Sequence, residues 1–118
     1  MNPDEASSRN FPESEAIRLK DFIAYQEGSV VSRELVSKKT GTVTLFAFDR
    51  AQGLSEHTAP FDALIFCVEG KAKVFISGKP VPLNEGEMLL MPAHKPHSLK
   101  AEEKFKMLLI MIRAEKKI

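Results

Sequence analysis

The chain has 118 residues, 43% hydrophobic and 28% charged, with 17 basic and 16 acidic side chains and a net charge of +1. That length favours one domain with one core, burying roughly 65% of the unfolded surface. The interspersed charge offers no nucleic-acid footprint, no apolar run nears the ~20 residues of a membrane span, and a single cysteine, Cys67, excludes an intrachain disulfide framework.

Residues 1–13 are polar, contain Pro3 and Pro12, and read as a loose tail without the apolar core of a signal peptide. With the lone cysteine, this makes a cytoplasmic protein the expectation. In "SEAIRLKDFIAYQEG", Ser14 as a cap, Ile17, Phe22 and Tyr25 at helical spacing and Gly28 as a stop predict one short helix. From Ser29 onward, short runs of Val, Ile, Leu and Phe alternate with turn residues. They predict strands near 29–37, 42–49, 62–69, 71–77, 87–91, 96–100 and 104–113. The organisation expected is therefore an N-terminal tail and helix over 1–28 and an all-β domain over 29–118, a sandwich or barrel. The pairs Lys38-Lys39 and Lys116-Lys117 read as solvated strand ends.

Two of these strands are apolar on both faces: "ALIFCV" over 63–68 and "FKMLLIMI" over 105–112. A half-buried strand alternates; these do not. One face belongs to the domain's own interior and the other needs a second layer, and a homodimer would supply it, because an exposed apolar sheet face is a liability.

The histidines carry what chemistry there is. His57 shares its period-2 parity with Ala59, Ala63, Ile65 and Cys67, so an extended segment turns these side chains to one face. In "EGEMLLMPAHKPH" a glycine turn, an apolar strand and a proline turn deliver His97 onto the next strand. Phe46, Phe48, Met88, Leu90 and Met107 are core candidates, of which one set lines the domain's mouth; Phe46 and Phe48 are placed in the pocket.

Together these residues resemble the cupin family. The family's first motif has two histidines one residue apart, then a glutamate, then a closing glycine. His57 and Gly70 fit its ends, whereas Ala59 stands for the second histidine and Ala63 for the glutamate. The second motif is matched by Gly86, Pro92 and His97, with His94 where the family has a glycine of positive φ. The resemblance covers roughly residues 30 to 113. It implies a cupin-type antiparallel β-barrel, or jelly roll, following the short helix. It also implies a divalent metal such as Fe, Mn, Ni or Zn in the barrel, and activities ranging from dioxygenase and isomerase to ligand sensing and seed storage.

The remaining residues narrow this. Imidazole binds first-row metals well, but such sites usually offer three protein ligands, and His57 and His97 are two. His94 or Cys67 could add a third donor; Asp62 and Glu56 carry carboxylates of the wrong parity unless a bulge redirects one. Set against this, His57 and His97 could be hydrogen-bonded core groups, His94 a surface turn residue and Cys67 a buried hydrophobe. The two alanines open volume, so an apolar pocket with two imidazoles fits a small molecule, held by hydrogen bonds or through an anionic group. The leading expectation is a cupin that binds a small molecule in the lumen, with a weakly held metal on His57 and His97. A metal-dependent oxygenase or isomerase and a dimeric sensing or structural module are the alternatives. No nucleophile–base pair is marked.

Overall fold

The computed structural model describes residues 11–115. Most of the expected tail, and the pair Lys116-Lys117, lie outside the described residues. Nine strands follow a single 3-10 turn: β1 (Val30–Lys38), β2 (Gly41–Phe48), β3 (Gly53–His57), β4 (Phe61–Glu69), β5 (Lys71–Ile76), β6 (Lys79–Asn84), β7 (Met88–Met91), β8 (His97–Ala101) and β9 (Phe105–Arg113). They form a five-stranded sheet in the order β1-β2-β9-β4-β7 and a four-stranded sheet in the order β3-β8-β5-β6. Every pairing is antiparallel.

The all-β expectation holds, with two strands added. β3 and β6 are the two edges of the smaller sheet. β3, "GLSEH", is mostly exposed and lacks an apolar alternation. β6, "KPVPLN", carries Pro80 and Pro82. Proline cannot donate to a ladder, and an edge strand is where that omission is tolerated.

The two sheets face one another across the main core. Phe48, Ile65, Cys67 and Met107 from the larger sheet meet Ala72, Val74, Leu83 and Leu99 from the smaller. Phe48 and Phe105 are fully buried, with ring centroids 5.6 Å apart, and Phe46 stacks on Phe48 at 5.7 Å. Each buried Phe contributes about 2–3 kcal/mol. These rings close one end of the barrel.

The expected helix over 14–28 is a correction. Only Leu19–Asp21 forms a 3-10 turn, and Ser14 is left-handed (φ 61) rather than in the extended conformation of a helix cap. Tertiary packing overrides local spacing here. Leu19, Phe22, Ile23 and Tyr25 lie against Leu45, Ala47, Val68 and Leu108 on the outer face of the five-stranded sheet. Arg33 reaches over the Phe22 ring at 4.3 Å and donates to the Phe22 carbonyl at 2.9 Å. Tyr25 donates to Glu69 at 2.6 Å, and Glu69 pairs with Lys106 at 3.6 Å. The segment is a strap, and it covers one half of the outer face.

Gly70 joins β4 to β5 at φ +82. A side chain there would also collide with the Lys104 carbonyl, so position 70 excludes every other residue on two grounds.

Candidate functional site

β3 ends at His57 and β8 begins at His97, and the antiparallel register sets the two residues directly opposite each other. Their ring centroids are 4.3 Å apart, with planes inclined at 66°. The turn before His97 holds this arrangement. His94 is left-handed (φ 67), and its amide donates to the Ala59 carbonyl at 2.9 Å. The Ala93 amide donates to the Asp62 carboxylate at 2.9 Å, and the Ser77 amide to the Pro96 carbonyl at 2.8 Å. The turn of the second motif is thereby stitched to the loop following His57, to the start of β4 and to the β5–β6 turn.

Both imidazoles are oriented through one nitrogen. His57 Nδ1 lies 2.8 Å from the Ser55 carbonyl, and His97 Nδ1 lies 3.1 Å from the Lys95 carbonyl. A carbonyl oxygen only accepts, so each Nδ1 carries the proton. In the neutral ring this assigns the lone pair to Nε2. The pair presents two acceptor nitrogens.

Beneath the imidazoles lies a cavity of about 50 Å³, room for on the order of three or four waters. Ala59, Phe61, Ala63 and Ile65 line one side, and Met107, Leu109 and Met111 of β9 another. Leu54, Met91, Ser98 and Leu99 complete it. His57 is exposed, whereas Ala63, Ile65, Met91 and Met107 are buried. This gradient puts the mouth at the imidazole end and the floor toward the phenylalanine plug.

The structure thus brings His57, Ala59, Ala63, Ile65 and His97 together around one cavity. They do not share one strand face, because the chain leaves the smaller sheet after His57 and enters the larger one at Phe61. Phe46, Phe48 and Cys67 fall outside the cavity and belong to the core. Cys67 is four residues beyond Ala63, roughly 13 Å along β4. Its thiol is directed at the Gly70 carbonyl at 3.3 Å, and burial pushes its pKa up to about 11. An inert thiol follows. His94 is exposed and borders an outer groove with Asp62 and Arg113. Asp62 is committed to the Ala93 amide, and Glu56 is exposed. Among the described residues no three His, Cys, Asp or Glu side chains are grouped to hold a metal ion.

Leu54, Met91, Leu99, Leu109 and Met111 were not expected in the cavity. For β9 a signal exists: residues 107, 109 and 111 share one parity in a strand apolar on both faces. Which parity faces inward depends on the pairing with β4, which periodicity does not encode.

A family model described as "Cupin domain" matches residues 45–113. A conserved protein of unknown function from Streptococcus pyogenes is 30% identical, with a TM-score of 0.86, over 91% of this chain and 94% of that one. A cupin superfamily protein from Desulfitobacterium hafniense is 28% identical, with a TM-score of 0.83, over 88% and 95%. A cupin 2 conserved barrel domain protein from Leptotrichia buccalis is 40% identical, with a TM-score of 0.80, over 82% of this chain but 47% of that one. No curated protein matches the chain.

Proposed function

The chain belongs to the cupin family, and from that premise we propose that it is a cytoplasmic single-domain cupin that binds a small molecule in the barrel lumen. One observation carries the reading: an apolar cavity capped by two imidazoles 4.3 Å apart, each oriented by a backbone carbonyl. Apolar walls with a few convergent polar groups are the usual chemistry of a small-ligand pocket. A lone buried thiol suits a reducing compartment, and no helix among the described residues is long and apolar enough to cross a membrane.

Zn, Ni, Mn or Fe is the cofactor the family implies. The donor set fits such an ion only in part. Two Nε2 lone pairs would hold it, and Ala59 and Ala63, which line the same cavity, offer nothing. Such an ion would act there as a Lewis acid or as an anchor for a ligand. The paired acceptors favour, as a second reading, a metal-dependent oxygenase or isomerase built on His57 and His97.

Methionine methyl groups test the leading reading. Met91, Met107 and Met111 line the cavity, while Met88 stands 55% exposed on the outer face. Titration with dissolved xenon, a probe small enough for this volume, should shift the 13C-methyl resonances of the first three and leave that of Met88 in place. If no lumen methyl moves, the cavity is a packing void and the proposal falls.

A further inference from the structure

We propose that the outer face of the four-stranded sheet, turned away from the lumen, is a second site and binds a nucleoside monophosphate, with the phosphate between Lys73 and Lys100 and the base against Phe75. The sheet register sets two like charges where they cost stability. Lys73 stands directly opposite Lys100, and their row continues to Gly53 on one side and Pro82 on the other. Cβ atoms so paired lie about 5 Å apart, and like charges in that position repel. Gly53 and Pro82 bring no carboxylate to the row. Among the described residues, neither lysine forms an ion pair. Both are exposed, because the alternate residues Ala72, Val74, Leu99 and Ala101 are the ones that face the core. Glu102 borders the same groove, but the register continued by one step sets it opposite Lys71, whose carbonyl accepts from the Glu102 amide at 3.1 Å. Its charge is therefore set against Lys71, and Lys73 and Lys100 stay uncompensated.

Arg50 adds a third positive charge. The Ala51 amide donates to the Ala101 carbonyl at 3.0 Å and the Ala101 amide to the Gln52 carbonyl at 2.8 Å. These bonds pin the β2–β3 turn beside the end of β8 and put Arg50 at the groove. Phe75 is the apolar member. It lies two residues along β5 from Lys73, roughly 6.6 Å, on the same face. It is half-buried, belongs to neither core cluster and, among the described residues, stacks on no other ring. An aromatic ring outside the core, beside uncompensated cations, holds a base by its π-face and a phosphate by its charge. A phosphate monoester carries about −1.5 to −2 charges at neutral pH, so one such group offsets the two lysines. Arg50 can add a forked contact to its oxygens. The separation of ring and cations is one that a single ribose bridges. The groove, about 450 Å³, falls within the roughly 300–1,000 Å³ of small-molecule sites. A nucleic-acid strand would need a run of such cations along its phosphates, whereas the charges of this chain nearly balance, 17 against 16. The observations therefore favour a free nucleotide over a strand.

The experiment titrates the full, 15N-labelled chain with adenosine 5′-monophosphate, adenosine, inorganic phosphate and a short single-stranded oligodeoxyadenylate. The nucleotide should move the amides of Arg50, Lys73, Phe75 and Lys100 and bind about tenfold more tightly than adenosine or phosphate alone. None of these four residues lines the lumen, so the two sites stand or fall separately. Lys73→Gln with Lys100→Gln should lower the affinity for the nucleotide to that for adenosine, and Phe75→Leu should lower it to that for phosphate. Relief of the repulsion should also raise the urea midpoint of the unliganded double variant above the parent's, which separates lost binding from lost folding. A double variant that binds the nucleotide as well as the parent overturns the proposal, and so does one that is less stable than the parent. Phosphate binding as tightly as the nucleotide overturns the role of Phe75 and with it the ligand class. An oligonucleotide that binds more than about tenfold tighter than the nucleotide assigns the face to a strand and overturns the proposal. No amide shift with any probe makes the lysines solvated surface charge and overturns the site.

Discussion

At the scale of single residues, His94 and the two alanines are where this chain departs from its family. His94 holds φ 67, a conformation that costs most side chains about 1 kcal/mol and glycine nothing. Histidine is among the residues that accept it, whereas a β-branched side chain does not. His94→Gly should therefore leave stability within about 1 kcal/mol of the parent, and His94→Val should lose about 1–2 kcal/mol, both read from urea midpoints. Equal loss in the two variants would mean that the imidazole itself, and not the backbone, stabilises the turn. Ala59 and Ala63 face the cavity that His57 and His97 cap. Restoring donors there, with Ala59→His and Ala63→Glu together, should raise Zn²⁺ or Ni²⁺ affinity on the order of 100-fold, about 2.7 kcal/mol. Ala63 is buried, so an unpaired glutamate should also lower the melting temperature until metal is added. Adding His57→Ala to the pair should cancel the gain. Calorimetry on protein stripped with a chelator measures all three. A parent that already retains stoichiometric metal after chelation would show that another donor completes the shell.

Among elements, the expectations that held and those that failed divide by physics. The strands of the larger sheet were legible because their apolar runs are long enough to force burial, and "FKMLLIMI" became β9 at the centre of that sheet. The edges of the smaller sheet were not. β3 is polar because its outer side meets solvent, and β6 carries prolines because its outer side needs no donors. The site was legible in its two histidines, whose motif spacing encodes the turn. It was not legible in its walls, because the crossing between sheets at residues 58–60 breaks the shared face assumed from parity. The strap reads as a helix in the sequence for a related reason: its apolar residues pack flat on a sheet that lies elsewhere in the sequence. That sheet position makes the strap testable. The Lys106 side chain is 9% exposed and depends on Glu69, the Lys20 carbonyl and the Tyr25 ring, 4.8 Å from its ammonium group. Removing one partner of a buried pair strands the other charge, while replacing the lysine by a hydrophobe of similar length does not. Glu69→Gln should cost about 2 kcal/mol, less than a fully buried pair because Glu69 is partly exposed. Lys106→Met should cost under about 1 kcal/mol. The reverse order in chemical denaturation would mean that the ion pair does not hold the strap.

For the molecule as a whole, the strap leaves half of a sheet face bare, and this points to a second copy of the chain. One row crosses the entire five-stranded sheet: Val36 opposite Val43, Val43 opposite Ile110, Ile110 opposite Leu64, and Leu64 opposite Leu90. All five residues are aliphatic. Leu90 is 52% exposed, Met88 on the same strand 55% and Ile112 on β9 53%. Five strands at ~4.8 Å, with two full rows spaced ~6.7 Å and the Phe66–Met88 end of a third row beside the strap, define a bare face on the order of 400 Å². Two such faces stacked would bury about 800 Å², so the loops flanking the face have to add to it to reach the ~1,000 Å² of a specific interface. The charged residues on this face, Lys38 and Asp62 in the row of Ile112, are of opposite sign, so a two-fold axis can place the face on its own copy without setting like charges against each other. We therefore expect a homodimer joined sheet to sheet, with the two lumens opening away from the interface, because the cavity lies on the opposite side of this sheet. Light scattering at micromolar concentration should give twice the chain mass. Leu90→Glu with Ile112→Lys, two exposed positions the core does not need, should give a folded monomer. Its methionine methyl response to xenon should match the parent's, since neither residue lines the lumen. A parent that scatters as a monomer removes the dimer, and the bare face would then need another partner. A variant that dissociates and also loses the lumen response would instead tie the cavity to the assembly, through the backs of β4 and β9, whose alternate residues build both surfaces.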